Sequence, residues 1–322
     1  MCIRDRLRES KLIKLLELLS PEEFKGCSTY VRSPYFTKSK EALRLFDYIR
    51  KYHPNFDVPQ LEKEIVFKKV FPKQTYSDSK LRNLRSKLLK IIENYLIQLH
   101  FEQDDFRKKK LLTKIYGERN YYVEFKRNTT ELNKDLVERQ DIQNAKYYYD
   151  QYDLQTQYYF HQNTPRDGVT KEKLIVAYHN LNYFFAIERL RMGMEFKTRE
   201  KIFSDNFEFF QSHQLQFLPP ENSIIYDLFK KVVDFITAPS EVIYYETKAL
   251  FLEVSDNLHK DDQQRIVFSL LNFALSQISK QGEMFTREAF NLYQLGLSKS
   301  IFISQQNHFP GPTFMNLSLI HI

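Results

Sequence analysis

A chain of 322 residues is long enough for one or two domains with a substantial buried core. Only seven glycines and eleven prolines are present, too few for the tight turns of an all-β fold, and no apolar run approaches the ~18 residues of a membrane span. The net charge of +7 is uneven: residues 1–110 carry 25 Lys and Arg against 15 Asp and Glu, and the remainder carries 23 against 26. These features predict an all-α protein without a membrane segment, whose N-terminal third suits anionic partners.

The first third predicts a basic helical module over residues 7–110. Leucines at i, i+3, i+4 and i+7 form one face of its first helix, and Ser20, Pro21 and Glu23 have the pattern of a helix start with a capping box. Pro34 and Pro72 each end a helix. The predicted helices of the module lie near 12–19, 21–33, 42–49, 61–71 and 79–103.

The remainder, 111–316, predicts stacked antiparallel helix pairs in a right-handed superhelix of the tetratricopeptide-like type. Its last four helices form two pairs that start near 221 and 262, and at that offset Ile225 matches Ile266 and Phe229 matches Leu270. An irregular helical bundle is the alternative. The predicted helices are 111–117, 121–140, 145–162, 171–196, 199–212, 221–236, 240–257, 262–280 and 285–302, with breaks at 163–168, 218–220, 238–239, 260–262 and 281–282.

Motifs that carry catalytic or metal chemistry are missing from the sequence. It has no Gly-rich phosphate loop, HExxH, CxxC or GxSxG pattern, and no two histidines have the i, i+4 spacing of a helical metal pair. Cys27 has no identifiable histidine partner, which indicates a small, partly buried thiol and a reducing cytoplasm. The adjacent carboxylates Asp104-Asp105 and Asp261-Asp262 are typical of solvated caps or faces. We therefore expect a protein that is not an enzyme and needs no cofactor or metal.

The stretch "SKLRNLRSKLLKIIENYLIQL" places its leucines and isoleucines on one face of a helix, with cations on both sides of that face. Cations on both sides of an apolar face are typical of an ordinary amphipathic helix, whose charged side chains keep their ends in water. The layout also permits a second interpretation, in which segment 61–99 resembles a helix-turn-helix and contacts nucleic acid through Lys80, Arg82, Asn83, Arg85 and Ser86. The seven-residue connector 72–78 is longer than the three or four residues of that motif.

The tyrosine-rich stretch "NAKYYYDQYDLQTQYYFHQ" could offer aromatic rings to nucleic-acid bases, but only Lys146 accompanies them. Tyr148, Tyr152 and Tyr159 share one helical face at i, i+4 and i+11. We expect these rings to pack between stacked helices instead.

The runs "LLSPEEFKGCSTYVRSPYF", "LFDYIRKYHPNFD", "FKKVFP" and "SKLRNLRSKLLKIIENYLI" resemble a family of uncharacterised bacterial helical proteins, and "LNFALSQISKQGEMFTREAFNLYQLGL" is similar to their tetratricopeptide-like helix pairs. The resemblance implies further helix pairs after Asn316 and supplies no catalytic residues. Because helix-pair arrays build extended binding surfaces, we expect a cytoplasmic protein-interaction scaffold whose partner is a protein or peptide. A nucleic-acid-binding regulator is the alternative function.

The two ends of the chain differ from the rest. "MCIRDR" and "LSLIHI" can be encoded by DNA sequences that are reverse complements of each other, and the pair resembles the translated transposon end used in sequencing-library preparation. Residues 1–6 and 317–322 are therefore expected to be artefactual, and the protein is expected to be a fragment.

Overall fold

A computed structural model describes residues 7–138, 143–203, 205–207, 220 and 223–302, except for the side chains of Arg8 and Gln281. Within these ranges every regular element is a helix, which confirms the all-α prediction. None of the described helices is both long and apolar enough to cross a membrane. The chain forms two compact units that divide between Lys109 and Lys110. Both predicted artefactual ends, and residues 204 and 208–212 of the predicted helix 199–212, lie outside the described residues.

The N-terminal unit packs five helices around one apolar core. Ser20 Oγ accepts a hydrogen bond from the Glu23 amide at 3.2 Å while the Glu23 carboxylate accepts one from the Ser20 amide at 2.8 Å, so the predicted capping box is confirmed. The core includes Phe46 and Phe67. Its helices are α1 (Lys11–Glu17), α2 (Pro21–Arg32), α3 (Lys40–Ile49), α4 (Lys63–Val70) and α5 (Asp78–Glu102).

Seven further helices follow in the described part of the chain, and the division between the units falls in the first of them. They are α6 (Asp105–Glu118), α7 (Tyr122–Glu138), α8 (Ala145–Phe160), α9 (Gly168–Phe203), α10 (Ile224–Thr237), α11 (Glu241–Val254) and α12 (Lys260–Ser298). The predicted division of this region into separate helices 171–196 and 199–212 is wrong, because α9 runs unbroken to Phe203 over a length of about 54 Å.

Ring and ion contacts show that neighbouring helices of the C-terminal unit run antiparallel. Between α8 and α9, Tyr148 and Tyr183 have ring centroids 5.3 Å apart, whereas Tyr158 near the end of α8 lies 5.2 Å from the ammonium of Lys173 near the start of α9. Between α10 and α11, Lys231 Nζ lies 2.7 Å from Glu246 Oε2. The ring of Phe235, one turn further along α10, lies 6.2 Å from that of Tyr244, earlier in α11.

Helix α12 is sharply bent near Gly282, whose φ of +27° lies in the left-handed region that favours glycine. The rings of Phe273 and Phe285 lie 5.9 Å apart, although twelve residues of straight helix would separate them by about 18 Å. Phe268 likewise lies 5.5 Å from Phe302. The predicted break at 281–282 is therefore a bend within one helix, and the arms 260–280 and 283–298 form a further antiparallel pair.

Among the polar contacts of the C-terminal unit, two clusters join its helices at partly buried positions. In the first, Gln155 Nε2 donates to Asn133 Oδ1 at 2.5 Å, and Lys173 Nζ donates to Gln155 Oε1 at 3.5 Å. Gln155 of α8 therefore connects α7 to α9 through hydrogen bonds. In the second, the hydroxyl of Tyr244 donates to Glu288 Oε2 at 3.0 Å, and the same oxygen accepts from Lys248 Nζ. Burial, reinforced by the Glu288 carboxylate, raises the pKa of Tyr244, so its hydroxyl stays protonated and can donate.

Candidate functional site

An open groove of about 680 Å³ lies on the C-terminal unit, where the start of α8, the middle of α9 and the turn before α12 meet. Tyr149 of α8 and Phe184 of α9 form one wall, with ring centroids 5.5 Å apart and an interplanar angle of 53°. Tyr149 is 45% exposed because Tyr148, the preceding residue, turns into the core. Ile187 and Leu258 add buried apolar surface.

An ion cluster lies beside these rings. Arg191 donates to Glu188 Oε1 at 2.7 Å, and its Nε and Nη2 atoms both donate to Asp262 Oδ1 at 3.1 Å. Burial by itself lowers the pKa of Arg191, but the hydrogen bonds and charges of the two carboxylates outweigh it and the pKa is raised. Burial is the larger effect on Asp262 and raises its pKa against the opposing effect of Arg191.

The sequence-based interpretation of Asp261-Asp262 is half wrong. Asp261 is exposed at the start of α12, as a solvated cap should be, whereas Asp262 is only 3% exposed. Its partner Arg191 is 71 residues away in the sequence, so the pairing could not be read from local spacing. The i, i+3 pair of Glu188 and Arg191 was the one local signal of this cluster.

The turn before α12 closes one end of the groove. His259 caps α12 by accepting from the Asp261 amide at 3.4 Å. Asp256 is held by Lys299, whose Nζ lies 2.7 Å from its Oδ1. Among the residues that the structure describes, no group of three or more His, Cys, Asp and Glu is placed to hold a metal ion.

Cys27 lies in the core of the N-terminal unit with no exposed surface, more deeply buried than expected from the sequence. Burial raises its pKa to about 12, so the thiol is protonated at neutral pH. A protonated, inaccessible thiol is a poor nucleophile and metal ligand.

The predicted nucleic-acid contacts on α5 have different surroundings. Arg82 forms an ion pair with Asp78 at 3.0 Å, and Lys80 lies 5.0 Å from the centre of the Phe71 ring. Arg85 is half-buried, and burial lowers its pKa. Asn83 and Ser86 are exposed. The five residues therefore do not form one uniform surface.

The tyrosine-rich stretch forms α8, where Tyr148 and Tyr158 are the buried rings. Tyr158 packs against Phe125 of α7 with centroids 6.2 Å apart, as expected for rings between neighbouring helices. Tyr152 and Tyr159, which were expected to share this role, are only partly buried.

Comparisons with protein-family models, with curated proteins and with solved structures found no match to this chain. The functional interpretation therefore depends on the groove and on α5.

Proposed function

We propose that the C-terminal unit is a non-catalytic protein-interaction scaffold of the helical-repeat type, whose groove binds a segment of a partner protein. The observation that carries this proposal is the exposed aromatic wall of Tyr149 and Phe184 beside an ion cluster. Partly exposed rings next to hydrogen-bonded charges are typical of surfaces that anchor one large apolar side chain of a partner.

The successive antiparallel pairs support the helical-repeat part of the proposal. The pair α8 and α9, the pair α10 and α11, and the two arms of α12 follow one another along the chain. Stacked pairs of this kind build concave binding surfaces in tetratricopeptide-like superhelices. We extend the proposal to membership of the bacterial family described above and to a cytoplasmic location.

The charged residues of the groove favour binding over catalysis. Glu188 and Asp262 both accept hydrogen bonds from Arg191, an arrangement that suits a structural role. Their role in the proposed scaffold is to fix α9 against the start of α12, and thereby to hold Phe184 in place.

Photo-crosslinking in cells tests the proposal. Tyr149 is replaced by p-benzoylphenylalanine, with the same replacement at Phe290 as a control, because Phe290 is 46% exposed and lies outside the groove. We expect one discrete protein adduct from position 149, which Phe184→Ala weakens, and none from position 290. Equal adducts at both positions, or no adduct from position 149, would rule out the groove as a binding site.

A further inference from the structure

The solvent-facing side of α5 carries more cations than its contacts within the protein account for. Residues 79–92 carry five cations and no carboxylate. Arg82 pairs with Asp78, and Lys80 lies over the ring of Phe71. Arg85 is partly buried, and burial lowers its pKa. The other two, Lys87 and Lys90, are exposed and form no close ion pair within the part of the chain that the structure describes, although Lys87 interacts electrostatically with Glu41 of α3.

Helical geometry places these two lysines among uncharged polar side chains. At about 100° per residue, they share an arc of about 100° with Asn83, Ser86 and Asn94, all of them exposed. The buried residues Leu84 and Leu88 lie on the opposite side of the helix. Glu93 marks one edge of this arc, which we call the amide–lysine face.

We propose that the amide–lysine face of α5 binds duplex DNA, an activity separate from the proposed scaffold function. Lysine ammonium groups neutralise phosphates, while asparagine amides and serine hydroxyls can hydrogen-bond to base edges. A helix exposed along one side fits the major groove in width. The net charge of +10 over residues 1–110 has the sign that such a partner requires.

An anionic membrane is a poorer partner for this face. Membrane-surface helices insert an apolar side between lipid headgroups. The apolar side of α5 is committed to the core through Leu81, Leu88 and Ile92. On the outward side, Ile97 is an exposed large apolar residue within the arc, and a single such side chain is too little to anchor the helix in a bilayer surface.

The proposal is tested by measuring the affinity of the full chain for a fluorescently labelled, random-sequence DNA duplex of 20 base pairs, with fluorescence anisotropy as the readout. We expect binding at low salt that weakens steeply as salt rises, because each phosphate contact releases a counterion. The variant Lys87→Glu with Lys90→Glu should bind at least about tenfold more weakly. The variant Lys87→Gln with Lys90→Gln should lower the salt slope by about 2, since each phosphate contact contributes about 1.

Lys25→Glu with Lys51→Glu is the matched control, because it makes the same change in net charge at exposed positions outside α5. It should retain at least half of the wild-type affinity, and circular dichroism should show both double variants folded. Equal loss in the control would mean that only net charge matters and would overturn the proposal. No duplex binding at low salt, or binding only to phosphatidylserine vesicles, would overturn it as well.

Discussion

Cys27 shows how one buried side chain can link stability to pH. Its thiol has no exposed surface, and its pKa of about 12 lies above the ordinary value of 9.0. Because the folded-state pKa is raised, the folded chain holds this proton more tightly than the unfolded chain does. The resulting stabilisation is complete below pH 9 and is lost as pH rises from 9 towards 12.

We therefore expect the free energy of unfolding of the wild type to fall relative to that of Cys27→Ala by up to about 1.4 kcal/mol per pH unit above pH 9. Urea denaturation of both proteins between pH 8 and 11 measures the difference, and the comparison cancels the titration of tyrosines common to both. A difference that stays constant with pH would contradict the assignment of a raised pKa to this thiol.

At the scale of elements, the contact between α11 and the second arm of α12 depends on a partly buried ion pair. Glu288 on the second arm of α12 binds both Lys248 and Tyr244 of α11, and the side chains of Lys248 and Glu288 are 17% and 16% exposed. Two such charges stabilise the fold only while both are present, because a single buried charge is costly to desolvate.

Glu288→Gln removes the counter-charge of Lys248 and should lower the free energy of unfolding by about 3 kcal/mol. Adding Lys248→Met to this variant should restore much of the loss. The control is Glu283→Gln on the same helix, whose carboxylate is 95% exposed and lies 3.9 Å from Arg287, and which should change stability by less than about 0.5 kcal/mol. Chemical denaturation of the wild type and the three variants provides the measurement, and similar losses for Glu283→Gln and Glu288→Gln would refute the role of the buried pair.

Local patterns predicted those helices whose determinants are close in the sequence. The capping box at Ser20 and the apolar face of α5 depend on residues three or four positions apart, and both are present. The bend at Gly282 was predicted as a break, because a glycine between two apolar patterns does not distinguish a loop from a kink. The groove could not be predicted, since Tyr149, Phe184 and Leu258 come from three distant segments.

At the scale of the whole molecule, each unit has its own apolar core. The core of the N-terminal unit consists of residues between Leu7 and Tyr95, and that of the C-terminal unit of residues between Ala145 and Phe302. A unit with a core of its own should be able to fold alone.

We expect the fragment 7–109 to be helical by circular dichroism and to unfold cooperatively in urea. Phe46→Ala, which empties a fully buried site, should lower its free energy of unfolding by about 3–5 kcal/mol. Exposed Lys51→Ala serves as the neutral comparison. A fragment that melts gradually, with no effect of Phe46→Ala, would show that its core needs the rest of the chain.

The line of Asn133, Gln155 and Lys173 has a consequence for the groove some distance away. Amide and ammonium groups inside a protein are satisfied at only one axial offset between their helices, unlike leucines, which pack acceptably at several. A slip of α9 against α8 by one turn, about 5.4 Å, would leave these polar atoms unpaired. The same slip would separate Tyr149 from Phe184. The wall of Tyr149 and Phe184 thus depends on the same helix register as the hydrogen bonds of Asn133, Gln155 and Lys173.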